Sequence, residues 1–265
     1  MLNGYAKFTK GVFCTQHSNL MKKLLLLIFC LAVFSCNNIS HLDDAKRHPS
    51  NVLELNLSAS KLTKVPLDIA QMTGLQKLIL FRNKIDSIPP FIGNLTRLEE
   101  LSFQSNRLVY VPEEIGNLNR LLKLNLRFNL LTGLPDGISN LGSLQELDLR
   151  NNLLEELPEN IGLLTDLEYL YLNDNHLKKL PESLGNLKKL RLFHLGHNQL
   201  TESVPDFIGN LESLIELDVS GCGEDNQLPG SISNLRRLEI LYVSSYQIIP
   251  YEIGRGNPRL KIIVK

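Results

Sequence analysis

This sequence has few cysteines, no net charge and no long apolar run. Two of its four cysteines, Cys14 and Cys30, lie in the first 35 residues, so no disulfide framework is predicted for the rest of the chain. Its 28 basic residues equal its 28 acidic ones. Residues 36–265 lack the four lysines of the first 35 residues and keep every acid, which gives them a formal charge of −4. That charge argues against a nucleic-acid-binding surface.

Motifs of catalysis are absent too. The sequence has no nucleophile elbow, phosphate-binding loop or Cys/His couple, so we expect no enzymatic activity. One group has the side chains of a zinc site: Asp174, His176, His194 and His197. Nothing in the spacing makes these four converge on one point, and solvated or interface histidines are the favoured interpretation. We therefore expect no metal and no cofactor.

Leucine at regular intervals is what the sequence does have. From Val52 the chain repeats one pattern, at first every 23 residues, with apolar residues at repeat positions 1, 4 and 6 and usually Asn at position 9. Self-similarity at this period predicts a solenoid of stacked units. The units open at Val52, Leu75, Leu98, Leu121, Leu144, Leu167, Leu190, Leu214, Leu238 and Leu260.

One unit cannot bury its own apolar residues, so its stability must come from stacking on its neighbours. Side chains alternate across a strand, so positions 4 and 6 are predicted to enter a common core while positions 3 and 5 point away from it. We predict an α/β repeat solenoid: a horseshoe with a parallel sheet on the concave side and short helical or 3-10 segments on the convex side.

Three polar or small residue types recur at fixed positions. Asparagines at position 9 are predicted to bond the main chain where it turns inward, because an amide both donates and accepts. Prolines that fix φ are predicted to end each strand pairing, and Gly-Asn pairs to mark the convex side. The asparagines are Asn83, Asn106, Asn129, Asn152, Asn175 and Asn198, and the prolines are Pro66, Pro89, Pro112, Pro135, Pro158 and Pro181.

The strings LxxLxLxxNxL and LPxxIGNL resemble the leucine-rich repeat family in its typical 23-residue form. The resemblance covers residues 52–265, which we divide into nine repeats and a terminal strand. It implies a curved parallel-sheet horseshoe that binds proteins, and occasionally other ligands, on its concave side.

The residues before the repeats resemble an exported leader. Met21, Lys22 and Lys23 precede an 11-residue apolar run, Leu24–Phe34, which is too short to cross a bilayer and reads as a signal peptide over residues 21–35. Residues 33–36 resemble a bacterial lipoprotein processing site with Cys36 as the lipidated residue, although Phe34 departs from its commonest form. An ordinary secretory signal is the alternative. Residues 1–20 are interpreted as a mistaken upstream start.

Residues 36–51 are predicted to hold the anchor tether and a short capping helix. Ser40 and Asp43 resemble a capping box, and basic residues follow late, so we predict a helix over residues 40–48 that covers the open end of the first repeat. A flexible tether is the alternative.

The outward positions of the sheet differ between its two halves. Position 3 alternates in sign from Glu54 to Glu146, which predicts a self-paired charge ladder. The later units place aromatic and apolar groups there, with two arginines nearby, as partner-binding surfaces do. The candidate partner-binding residues are Arg127, Phe128, Arg150, Tyr169, Tyr171, Leu192, His194, His197, Ile240 and Tyr242. Packing of the rings on one another across strands is the alternative.

The last units depart from the pattern. Glu224 stands at an apolar position after Gly221, Cys222 and Gly223, and Tyr246 occupies position 9 of the ninth unit. Irregular terminal repeats are the favoured explanation, and a ligand-directed loop at residues 221–227 is the alternative.

Taken together, these features predict a non-catalytic module, lipid-anchored on the bacterial cell envelope, whose concave face binds a protein. Two alternatives remain open: an adhesive or structural envelope component that recognises carbohydrate or a host surface, and a cytosolic scaffold if the leader is not used.

Overall fold

The computed structural model describes residues 38–39, 42–223, 227–255 and 257–265. Helix α1 spans Leu42–Arg47. The strands are β1 Asn38–Ile39, β2 Glu54–Asn56, β3 Lys77–Ile79, β4 Glu100–Ser102, β5 Lys123–Asn125, β6 Glu146–Asp148, β7 Tyr169–Tyr171, β8 Leu192–His194, β9 Glu216–Asp218, β10 Ile240–Val243 and β11 Lys261–Val264. The 3-10 turns are Pro49–Asn51, Leu67–Gln71, Pro90–Asn94, Glu113–Asn117, Asp136–Asn140, Ile161–Leu163, Glu182–Asn186, Asp206–Asn210 and Gly230–Asn234.

The strands form one parallel sheet in the order of the sequence. Equal repeat positions lie side by side, so that Leu124 pairs with Leu101 on one side and with Leu147 on the other. This arrangement confirms the predicted solenoid and its parallel sheet. The convex segments of the first eight units are 3-10 turns rather than α-helices.

The register of the last strand corrects one predicted boundary. A unit that opened at Leu260 would place Ile262 at position 3, but the residue paired with position 3 of the ninth unit, Ile240, is Lys261. The final unit therefore opens at Arg259. All four residues of β11 are exposed, so no buried face fixed its register in the sequence pattern.

One continuous core runs the length of the solenoid. In the fourth unit Leu121, Leu124, Leu126 and Leu131 are all fully or almost fully buried, and the corresponding residues of the neighbouring units are buried with them. Burying a leucine contributes about 1.5–3 kcal/mol. Because each unit seals the apolar face of the next, that stabilisation depends on stacking.

The position-9 asparagines form the predicted column of backbone hydrogen bonds. The Nδ2 of Asn129 donates to the carbonyls of Phe103 and Leu126 at 3.0 and 2.9 Å, and its Oδ1 accepts the Leu108 N–H at 3.0 Å. The same three kinds of bond recur at Asn83, Asn106, Asn152, Asn175 and Asn198. Each asparagine therefore joins two units where the chain turns inward.

Two other side chains continue this column where asparagine is missing. The thiol of Cys222 lies 3.4 Å from the Leu195 carbonyl, and burial raises the pKa of that thiol well above its ordinary value. In the ninth unit Gln247, one residue beyond position 9, donates to the carbonyl of Val219 at 3.1 Å. The longer side chain of glutamine compensates for the extra residue.

The turn after each strand depends on one unusual backbone conformation. Position 8 has a positive φ in each of the first eight units, at residues Ala59, Arg82, Ser105, Phe128, Asn151, Asp174, His197 and Gly221. This left-handed conformation lets the position-8 N–H donate to the next unit, as Phe128 does to Arg150 at 2.9 Å. For a residue other than glycine the conformation is uncommon.

Close approach of the convex turns explains the glycine of the Gly-Asn pairs. A β-carbon at Gly116 would overlap the carbonyl group of Gly137 in the next unit. The prolines, at Pro89 and Pro112 for example, lie directly before these turns with extended backbone.

A short helix and a short strand precede the first repeat at the amino-terminal end. Helix α1 buries Ala45 completely against the first repeat, and Lys46 lies 3.2 Å from the Asp68 carboxylate. Residues 40 and 41, where the helix was predicted to begin, lie outside the described residues. The sequence pattern did not predict β1, which pairs with β2 through Asn38 and Glu54.

Several predicted features lie outside the described residues: the leader, Cys36 and residues 224–226 of the eighth unit. Across the part of the chain that the structure describes, no helix has the length and apolar character needed to cross a membrane.

Candidate partner-binding surface

The outward positions of the later strands form the surface that we call the concave patch. It consists of Tyr169, Tyr171, Leu192, His194, Ile240 and Tyr242. Each is partly exposed, while the position-4 residue between them, Leu170, Phe193 or Leu241, is buried. The alternation predicted from the sequence is confirmed, and it brings all six residues onto one wall of the sheet.

A row of cations and rings runs across the patch. Arg150 lies over the Tyr171 ring at 4.4 Å, and Tyr171 meets His194 edge to face at 5.5 Å. His194 meets Tyr242 in the same way at 6.3 Å, and Lys265 lies 4.0 Å from the centre of the Tyr242 ring. Cation–π and edge-to-face contacts each contribute about 0.5–1.5 kcal/mol. The rings therefore do pack across strands while leaving part of each side chain exposed.

The two cations of this row and its histidine each have a carboxylate partner. Arg150 donates to both oxygens of Asp148, at 2.9 and 2.6 Å, and this hydrogen bonding raises the arginine pKa. The His194 Nε2 lies 2.8 Å from Glu216, and the Lys265 Nζ lies 2.7 Å from Asp218. The positive charges of Arg150 and Lys265 are thus each neutralised by an aspartate.

Asp218 is the most buried of these carboxylates, with 1% of its surface exposed. Burial opposes its ionisation, but hydrogen bonds from Lys265 and Ser220 outweigh burial, so the pKa of Asp218 is below its ordinary value. Asn173 also donates to it at 3.1 Å from two units away. That contact crosses Gly196, where a β-carbon would lie 3.0 to 3.1 Å from Asp218 and Asn173. Glycine at position 7 of the seventh unit therefore allows the bond.

Arg127 and Phe128 extend the patch toward its edge. The Arg127 guanidinium lies 4.4 Å from the centre of the Phe128 ring, and its Nε is buried with no hydrogen-bond partner among the described residues. Phe128 and His197 both occupy the position-8 turn, so the structure places them beyond the strands at the margin of the concave wall.

The possible zinc ligands are separated. His194 contacts Glu216, and His197 contacts Asp174 at 3.4 Å. Within the described ranges no three histidine, cysteine or acidic side chains are grouped as a metal ion would require.

The earlier half of the wall carries the predicted charge ladder. Lys77 pairs with Glu100 at 2.6 Å, and Lys123 pairs with Glu146 at 3.2 Å. Ile79 and Phe81 line a depression of about 360 Å³ beside these pairs.

Sequence reasoning missed the carboxylates that hold the patch. The pairing of Arg150 with Asp148, two residues apart on one strand face, has a signal in the alternation of side chains. Lys265 has no such signal because it follows the terminal strand directly and reaches Asp218 across the whole ninth unit.

Stacked units, an in-register parallel sheet and an asparagine column together define the chain as a leucine-rich repeat solenoid. A family model described as a leucine-rich repeat region matches residues 113–203. Proteins of this family generally act as protein-binding modules. A search of curated proteins found no significant match.

Solved structures have the same fold. An internalin from Listeria monocytogenes superposes with a TM-score of 0.72 at 23% identity, over 85% of this chain and 64% of that one. The ectodomain of the Arabidopsis thaliana receptor kinase GASSHO1/SCHENGEN3, solved with CASPARIAN STRIP INTEGRITY FACTOR 2, gives 0.73 at 30% identity over 85% of this chain and 28% of that one. The Arabidopsis receptor kinase HAESA, solved with the peptide hormone IDA and the co-receptor SERK1, gives 0.61 at 28% identity over 76% and 39%. The chain spans less than two thirds of each of these proteins.

Proposed function

We propose that this chain is a non-catalytic module that binds a protein through the concave patch. The observation that carries the proposal is the patch itself: aromatic and apolar side chains are partly exposed on outward positions of β7, β8 and β10. Ring contacts of His194 with Tyr171 and with Tyr242 link the residues on either side of β9. The neighbouring cations Arg150 and Lys265 are already paired with aspartates, so the area offers rings and alkyl groups to a partner rather than free positive charge. Interfaces favour such tyrosine-rich, preorganised surfaces.

The structural neighbours support a polypeptide ligand. One of them, the Arabidopsis receptor kinase HAESA, was solved with a peptide hormone. Tyrosine rings also stack on sugars, so a glycan ligand is the competing outcome that the experiment must separate.

Affinity capture from envelope extracts tests the proposal. Residues 37–265 are used as bait beside the variant Tyr169→Ser, Tyr171→Ser and His194→Ser, and the same two proteins are applied to a glycan array. We expect a protein that the unmodified bait retains and the triple variant loses. A matched control changes exposed rings outside the patch, Tyr246→Ser and Tyr251→Ser, and must retain the partner. Equal capture by the triple variant in its folded state, or binding only to glycans, contradicts the proposal.

We further propose that the module is attached to the bacterial envelope through lipidated Cys36. The leader pattern supports this, and Cys36 precedes Asn38 by only two residues. Two residues span at most about 7 Å, so an anchor there would hold the start of β1 close to the bilayer. Metabolic labelling with a fatty acid should mark the unmodified protein and not Cys36→Ala. Equal labelling of both proteins, or of neither, contradicts the anchor and leaves the concave patch to be judged separately.

A further inference from the structure

A second surface lies where the strands end, at repeat positions 8 to 10 of the first seven units; we call it the rim. Its backbone is a regular column, because each position-10 N–H donates to the position-11 carbonyl of the preceding unit. Examples are Lys84 to Leu62 at 2.7 Å and Leu130 to Leu108 at 2.8 Å. Rim side chains of neighbouring units therefore stand about 4.8 Å apart in straight rows.

The rim of the first three units is cationic. It carries Lys61, Arg82, Lys84 and Arg107, all exposed, and its nine residues include no acid. No carboxylate within the described ranges forms an ion pair with any of these four cations. This contrasts with the concave wall beside it, where lysines and glutamates neutralise one another.

In the fourth and fifth units the rim is apolar. Phe128, Leu130 and Leu153 are 43%, 45% and 37% exposed, and the rim of these units carries no charge. Val109 and Tyr110, beside them in the third unit, are exposed as well. The first carboxylate on the rim is Asp174 in the sixth unit, next to His197. The surface thus changes along one line from cationic to apolar.

We infer that the rim binds an acidic polypeptide segment whose acids are followed, or preceded, by apolar residues. Charge complementarity assigns the acids to Lys61, Arg82, Lys84 and Arg107, while the apolar residues would contact Phe128, Leu130 and Leu153. From Lys61 to Leu153 there are four unit spacings, about 19 Å, which an extended chain of about six residues spans.

A lipid surface is the less favoured occupant. Strand β1 begins at Asn38, opposite position 3 of the first unit, so the chain enters the sheet at the side away from the rim. If the proposed anchor at Cys36 is correct, the bilayer is attached at that side. The inference about the rim itself rests on the rim residues alone, apart from the concave patch.

A labelled peptide tests the inference directly. The probe has four glutamates followed by Leu-Phe-Leu, and its control has the same composition in scrambled order. We expect the full-length Cys36→Ala protein to bind the ordered peptide more tightly than the scrambled one in fluorescence anisotropy. The variant Arg82→Glu, Lys84→Glu and Arg107→Glu should bind it at least about tenfold more weakly, because like charges then face each other.

One control variant and one variant of the apolar part of the rim make the result specific. Arg120→Glu, Arg236→Glu and Arg237→Glu make the same charge change at exposed sites away from the rim and should leave binding unchanged. Leu130→Ser with Leu153→Ser should abolish the preference for the ordered peptide. Circular dichroism and thermal melting verify that each variant is folded.

Several outcomes overturn the inference. It is wrong if the two charge-reversal variants lose binding equally, or if the ordered and scrambled peptides bind alike. It is also wrong if the protein binds phosphatidylglycerol vesicles through the rim cations and ignores the peptide. Loss of peptide binding in the Tyr169, Tyr171 and His194 variant would place the peptide on the concave patch, and the rim would then have no separate ligand.

Discussion

At the scale of single residues, this molecule depends on side chains that satisfy backbone groups between units. The position-9 asparagines are the clearest case, because each bonds two carbonyls and one N–H from two units. Their effect on stability comes from what their loss would leave unpaired. A buried backbone group without a partner costs about 1–3 kcal/mol.

Asn129→Ala is therefore expected to lower the free energy of unfolding by about 2–4 kcal/mol, since it leaves up to three buried groups unsatisfied. Urea denaturation measures the change. Asn119→Ala, on the exposed convex side, is the matched control and should change stability by less than about 0.5 kcal/mol. A small effect at Asn129 would mean that water replaces the amide.

The positive φ at position 8 gives a prediction of opposite sign. Ala59→Gly should raise the free energy of unfolding by up to about 1 kcal/mol, because glycine adopts φ of 54° without steric cost. The same substitution at Ala70, inside the 3-10 turn Leu67–Gln71, should destabilise by about 0.5–1 kcal/mol. Thermal melting of the two variants checks the contrast, and a shift of the same sign in both would contradict it.

Asp218 links stability to pH. The pKa of Asp218 is lower in the folded protein than in the unfolded chain, where it is about 4. The ionised carboxylate therefore stabilises the fold above the unfolded pKa, and this stabilisation is lost as the pH falls through the folded pKa. Wild type should thus exceed Asp218→Asn in stability at pH 7, and the difference should shrink below about pH 4. Urea melts between pH 7 and pH 3 measure it, with exposed Asp86→Asn as the control. A difference that stays constant with pH would mean that the charge of Asp218 is not involved.

At the scale of elements, the convex turns set how closely units stack. Gly116→Ala should destabilise by about 1–3 kcal/mol, because the added methyl group overlaps the backbone of Gly137 and forces two turns apart. Gly133→Ala provides the control, since no atom lies within 4 Å of its added β-carbon. If both substitutions cost the same in urea denaturation, backbone entropy rather than stacking is the cause.

Strands inside the array could be predicted from the sequence, and the pairing of the strands at its two ends could not. The period fixed the register of β2 to β10, because each leucine of a central unit has a neighbour on both sides. Strand β1 and the shifted β11 have one neighbouring strand each, and the four side chains of β11 are exposed, so the leucine pattern carries no information about their pairing. The role of Gln247 was not predicted either, because it lies at position 10 rather than position 9. Only the structure shows that its longer side chain bonds a carbonyl of the preceding unit, as the asparagines do.

For the candidate site, the strand positions of its residues could be predicted from the sequence, but most of its side-chain pairs could not. Alternation along the strands placed Tyr169, Tyr171 and His194 on the concave wall correctly. It gave a signal only for the pair of Asp148 with Arg150, which lie two residues apart on one face. The pairs of Glu216 with His194 and of Asp218 with Lys265 join different units, so alternation along one strand did not show them.

At the scale of the whole molecule, stability follows from a one-dimensional stack. Central units are held from both sides and terminal units from one, so local opening is expected to begin at the ends. In hydrogen exchange the amides of β5 to β7 should exchange most slowly and those of β11 fastest among the strands from β2 onward. Uniform protection along the sheet would instead indicate that the array unfolds as one cooperative unit.

The paired charges of the concave patch have a consequence for buffer conditions. Dissolved ions weaken attraction between separated charges over about 10 Å at 0.1 M salt and about 3 Å at 1 M. A ligand held by the neutral rings of Tyr171 and Tyr242 should remain bound as sodium chloride is raised, whereas one held by the uncompensated lysines and arginines near Arg107 should be released. Ionic strength alone would then elute two ligands from one molecule in sequence.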